Sequence, residues 1–116
     1  MAAWIRAETG VGPDMLIQVY PVYRDSDAGN QLNPHLHNVP LQIAAERGLP
    51  ALAAWLWFIV VLVRDFIRAR RAAGATFLPA AGLAIVAAMI AAGMFEYNFG
   101  DSEFLMLFLL LVTLPY

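Results

Sequence analysis

From residue 72 to residue 95 the chain reads AAGATFLPAAGLAIVAAMIAAGMF, 24 residues without a charged side chain. A helix needs about 20 apolar residues to cross a bilayer core, so this run is long enough to span. A second uncharged run, GLPALAAWLWFIVVLV, occupies residues 48–63, and the aliphatic stem of Arg64 can snorkel to extend it to residue 67. A third run, residues 104–116, has only 13 residues and would cover roughly 20 Å of a core about 30 Å thick. It stops short of crossing. Composition agrees with lipid: 61% of the 116 residues are hydrophobic and 14% charged, against about 45–50% and about 25% in soluble domains. With no cysteine there is no disulfide framework and no thiolate metal site, and a net charge of −2 provides no basic surface for nucleic acid.

Charge sets the orientation. Arg64, Arg68, Arg70 and Arg71 crowd the link between the first two runs, offset only by Asp65. The positive-inside rule makes that link cytoplasmic. Residues 1–47 and the turn EYNFGDSE at residues 96–103 then lie outside, together with eight of the nine acidic residues. The expected fold is an all-α membrane protein: two transmembrane helices plus a partial third, preceded by an extracytoplasmic loop and a short interfacial helix. The expected segments are a loop at 1–47 with a helix at about 40–47, a first span at 48–67 and a cytoplasmic link at 68–76. A second span at 77–95, an outer turn at 96–103 and the partial third helix at 104–116 complete it. The opening stretch MAAWIRAETGVGPDM has no apolar core of the kind an export signal needs. The expectation is therefore the C-terminal part of a larger polytopic protein, inactive alone. A small non-catalytic membrane protein, or an inert truncation product, is the alternative.

Within the outer region, PHLHNVPLQIAAERGLP (residues 34–50) gathers two histidines and an asparagine just before an apolar span. Pro40 suits the first turn of a helix, and it pushes Val39 away from helical geometry. A helix over residues 40–47, interrupted at Gly48 and restarted by Pro50, places His37 and Asn38 just before a helix N-terminus, where an anion is favoured. Arg24, in the preceding stretch YPVYRDSDAGN, lies on the same side. An imidazole, an amide and a guanidinium together suit a phosphorylated substrate and a proton transfer.

At these residues the chain resembles the O-antigen ligase and polymerase family. His37 and Asn38 are followed by nine residues and then GLPA, similar to the family's H-[N/S/Q]-x9-G-x-x-G signature, with Ala51 where the final glycine falls. GVGPDMLIQVYPVYRD (residues 10–25) resembles the outer loop before that histidine, and GMFEYNFGDSE (93–103) resembles the turn between later spans. The resemblance implies a multi-pass glycosyltransferase of the bacterial inner membrane with its site facing the periplasm. Such an enzyme moves a glycan from undecaprenyl diphosphate to an acceptor, either lipid A–core or a growing polysaccharide. It implies an inverting, metal-independent displacement without a cofactor, with His37 as catalytic base and Arg24, Asn38 and His35 binding the substrate.

Plainer readings stand beside these. His35 and His37 make an H-x-H pair that would suit zinc on an extended strand, but no third or fourth ligand follows at a usual spacing, so no metal is expected. Glu46 and Arg47 read as a wet helix end. Trp55 and Trp57 read as packing residues, and Glu96, Asp101 and Glu103 as ionisable groups at the membrane edge, either solvated or part of the site. Gly82, Ala87, Ala88, Ala91, Ala92 and Gly93 allow helices to approach closely. The charge-derived topology makes a prediction. In spheroplasts, a cysteine replacing Ser26 reacts with a membrane-impermeant thiol reagent and one replacing Ala73 does not; the opposite pattern inverts the topology.

Overall fold

The computed structural model describes residues 8–27, 29, 35–72 and 77–116. Among them the structure is all-helical. The start of the expected loop (residues 1–7), its residue 28 and segment 30–34, and residues 73–76 at the end of the expected link lie outside the described residues.

The stretch read as loop contains a helix of its own, α1, Leu16–Tyr23. Its sequence LIQVYPVY is short and carries Pro21, so no periodic pattern announces it; Leu16 is its buried residue. The backbone N–H of Arg24 donates to the Tyr20 carbonyl and closes it.

The long helix α2, Val39–Ala72, begins behind Asn38, whose side-chain oxygen accepts from the Leu41 N–H at 3.0 Å. This is an N-cap bond that satisfies a donor without a helical partner. Arg68 to Arg71, expected in a link, continue the helix. At Gly48 the backbone leaves helical geometry (φ 81°, ψ 173°). The cause is local: glycine tolerates positive φ, and Pro50 has no N–H to give to Glu46, four residues back. The orphaned carbonyls are taken up by the N-terminal loop. Val11 N–H donates to Ala45 at 2.8 Å and Gly12 N–H to Glu46 at 2.9 Å. The approach is close enough that a Cβ on Gly10 would strike the backbone of Glu46, and one on Gly48 the backbone of Glu8.

This strap buries Glu46, which is 3% exposed. The wet helix end expected there holds for the exposed Arg47 and is corrected for Glu46: the loop folds over the carboxyl and leaves its Oε1 without a hydrogen-bond partner among the described residues. Burial, followed by the nearby charge of Asp14, raises its pKa above the ordinary value.

Beyond the break, α2 packs on α3 (Phe77–Gly93) and α4 (Ser102–Thr113). Ile59, Leu62 and Phe66 of α2 meet Val86 and Met89 of α3 and Phe108 and Val112 of α4 in one apolar cluster. Phe66 lies on Gly82, where a Cβ would fall 2.7 Å from its ring, and Gly93 lies against Val39. These two contacts make α2 and α3 antiparallel. The helix α4 runs back alongside, capped by Asp101, whose carboxylate accepts from the Glu103 N–H.

With 12 residues α4 is short, yet the chain end reaches the level of the first arginines. The Tyr116 hydroxyl donates to Asp65 at 3.0 Å, and its ring lies 5.6 Å from that of Phe66. The helix itself is 12 residues long, below the length that crosses a membrane. Phe99 lies 6.0 Å from Trp55, about two helical turns past Gly48, so the preceding turn packs beside α2 below the break. Trp55 packs as expected, whereas Trp57 is 66% exposed and points away from the other helices.

Among the described residues one helix, Val39–Ala72, is long and apolar enough to cross a membrane; α3 and α4 are shorter. Only 17% of its most apolar window is buried. Trp57, Phe77, Leu78, Met106, Leu107 and Leu110 are all exposed. So much uncovered apolar surface calls for an apolar surrounding, whether lipid or further helices. The strap yields a prediction: Gly10→Ala or Gly48→Ala peels the N-terminal loop away, so trypsin cuts after Arg24 and Arg47 faster than in the parent chain. Ala84→Val, on the exposed face of α3, leaves the cleavage rates unchanged.

Candidate functional site

The residues before α2 are held by three contacts. Leu36 N–H donates to the side-chain oxygen of Gln42 at 2.6 Å, and Gln42 is 1% exposed, so its amide is a buried anchor one turn into the helix. Asn38 caps α2 with its oxygen and donates from Nδ2 to the Met94 carbonyl at 3.3 Å, which ties the 94–97 turn to the helix start. Between these anchors His37 Nδ1 lies 3.2 Å from Glu96 Oε1.

That oxygen is a point of convergence. It accepts from the Tyr97 N–H at 3.3 Å and lies 3.7 Å from His35 Nε2. The rings of His35 and His37 meet edge-on with centroids 5.1 Å apart. His35, His37 and Glu96 thus form one cluster, joined across 59 residues of sequence. An ionised carboxylate only accepts, so the 3.2 Å contact requires the proton on His37 Nδ1. In the neutral ring Nε2 then carries the free lone pair. The His37 side chain is 58% exposed, which leaves that nitrogen accessible.

The pair resembles the base and orienting carboxylate of nucleophilic enzymes, in which the carboxylate fixes the imidazole tautomer. The His37 hydrogen bond, then the Tyr97 N–H, lowers the pKa of Glu96 and keeps it ionised. Two grooves share Tyr97 as a wall, and one of them reaches the cluster at His35. One, of about 360 Å³, is lined by Asp14, Ile17, His35, Gln42, Tyr97 and Gly100. The other, of about 290 Å³, has Arg47 at its polar side and Trp55, Phe99 and Leu105 among its apolar walls.

Of the residues expected to form a site, His35 and His37 come together. Asn38 is adjacent, but both ends of its amide are engaged by the protein. Arg24 closes α1 and is half-buried, and the contacts that assemble the cluster are made without it. Gln42 carried no sequence signal beyond a polar residue on an apolar face. Glu96, which the sequence leaves as either a solvated edge group or part of the site, is the third donor beside the histidines that spacing alone does not reveal.

No family model matches this sequence, and no curated protein or solved structure matches it either. The geometry of the cluster carries the functional reading.

Because the folded-state pKa of Glu96 is depressed below 4.5, its contact with His37 stabilises the fold fully above about 4.5 and is lost as pH falls through the lowered value. In a carbon-13 titration of the Glu96 carboxyl, the midpoint lies below 4.5 in the parent chain and rises towards it in His37→Ala. A midpoint identical in the two proteins breaks the pairing.

Proposed function

We propose that this chain carries the catalytic histidine and flanking helices of a multi-pass membrane glycosyltransferase of the O-antigen ligase type. The reaction is transfer of a glycan from undecaprenyl diphosphate to an acceptor hydroxyl, on lipid A–core or on a growing polysaccharide, at the periplasmic face of a bacterial inner membrane. The observation that carries this reading is Glu96 on the Nδ1 side of His37, which leaves Nε2 as a bare acceptor in an exposed ring.

In the proposed step an acceptor hydroxyl attacks the anomeric carbon of the carrier-linked sugar. The new C–O bond forms as the bond from the anomeric carbon to the diphosphate oxygen breaks, with inversion, and the diphosphate leaves with the electron pair. The proton of the hydroxyl passes to His37 Nε2, and Glu96 stabilises the imidazolium that results. The groove bearing Arg47 has the chemistry for a lipid diphosphate, a cation beside an apolar wall. Arg24 supplies a further guanidinium for the leaving group in this scheme.

In the protein that carries this segment, His37→Ala lowers transfer by about 10²–10⁴-fold, the typical contribution of a general base, while insertion is unchanged and the lipid-linked substrate accumulates. Glu96→Gln lowers kcat with little change in KM, since it disturbs the tautomer and not the binding surface. Arg24→Lys is impaired despite its charge, because an ammonium does not reproduce a bidentate grip on phosphate. EDTA does not lower the rate. Near-normal transfer by His37→Ala removes the base from the scheme.

A further inference from the structure

The donor atoms of His35, His37 and Glu96 all lie within 4.8 Å of one another. The two measured separations, 3.7 Å from His35 Nε2 and 3.2 Å from His37 Nδ1 to the same carboxylate oxygen, bracket the roughly 3.3 Å expected between ligand atoms of a tetrahedral zinc ion. Two imidazoles and one carboxylate are a ligand set that zinc takes in sites with an open fourth position. All three side chains are substantially exposed, so the closing movement of on the order of 1 Å that a common centre requires meets no packed core. The framework behind them is fixed: Gln42 holds Leu36, and Asn38 ties the helix start to Met94. Tyr97 N–H donates to the same Glu96 oxygen and orients it.

We propose that His35, His37 and Glu96 form a three-ligand site for a divalent transition ion of the zinc class, and that occupancy switches His37 off as a base. A metal on Nδ1 takes the lone pair on that side of the ring. The neutral imidazole then holds its proton on Nε2, the nitrogen that must otherwise be bare. The ion is thus an inhibitor of the chemistry proposed above and not its cofactor. The binding site stands independently of that chemistry, whereas the inhibition rests on it.

The test uses the full chain in detergent, purified without a polyhistidine tag and titrated with Co²⁺ and then Zn²⁺. One equivalent of Co²⁺ gives visible d–d absorption, and Zn²⁺ displaces it. His35→Ala, His37→Ala and Glu96→Gln each weaken Zn²⁺ binding at least tenfold with helicity retained by circular dichroism. Glu103→Gln leaves it unchanged, and Glu96→His, which replaces the carboxylate with a third nitrogen ligand, binds within tenfold of the parent. Absence of the cobalt bands, or an affinity that survives Glu96→Gln, overturns the three-ligand site. Where transfer is assayed, Zn²⁺ inhibits it and a chelator relieves the inhibition. Tight binding with undiminished transfer overturns the switch and leaves the site, while a failure of the transferase reading leaves the cobalt titration untouched.

Discussion

The break in α2 at Gly48 is the constraint on which the outer half of this structure depends. A straight helix through residues 39–72 would present Glu46 and Ala45 as ordinary helical residues and leave the N-terminal loop nothing to bind. Pro50 withholds an N–H from Glu46, and the positive φ of Gly48 turns the chain away from its partners. Two carbonyls are left that cannot remain unpaired where they are buried. Val11 and Gly12 supply the missing donors, and Gly10 permits the contact because a side chain there has no room. The same strap brings Asp14 against Glu46 and closes one wall of the groove beside His35. The interruption of one helix therefore organises a surface built from four separate stretches of chain.

The second organising contact is the docking of the 94–97 turn on the start of α2. Asn38 and Glu96 do this from opposite sides, and the small residue Gly93 lets Val39 approach the end of α3. Because Asn38 is a helix cap, its orientation is set by the helix itself, and the turn inherits that orientation. His37 lies between the two ties. Its ring is therefore held by a carboxylate whose own position is fixed by a neighbouring backbone N–H, although all of these groups face solvent.

Which parts were legible in the sequence follows from how far apart the causes lie. The helical character of the chain was local, written in uncharged runs; so was the break, since Gly48 and Pro50 act on their own neighbourhood. The helix at Leu16–Tyr23 was not legible, because eight residues with a proline inside show no period. The burial of Glu46 depends on glycines more than 30 positions upstream, and no helix-end pattern carries that information. Glu96 is separated from His37 by 59 residues, so a search for ligands at metal-site spacings passes over it. Only the antiparallel return of α3 makes the two neighbours. The reach of Tyr116 to Asp65 likewise depends on how deeply the turn at Phe99 descends, which hydropathy does not encode.

The central claim is that Glu96 fixes the tautomer of His37, and nitrogen-15 NMR of the histidine ring measures that state directly. In the metal-free chain at a pH where the ring is neutral, the parent protein is expected to show a protonated Nδ1 and a bare Nε2, and Glu96→Gln to lose that preference. A parent ring protonated on Nε2, unaltered by Glu96→Gln, would contradict the account.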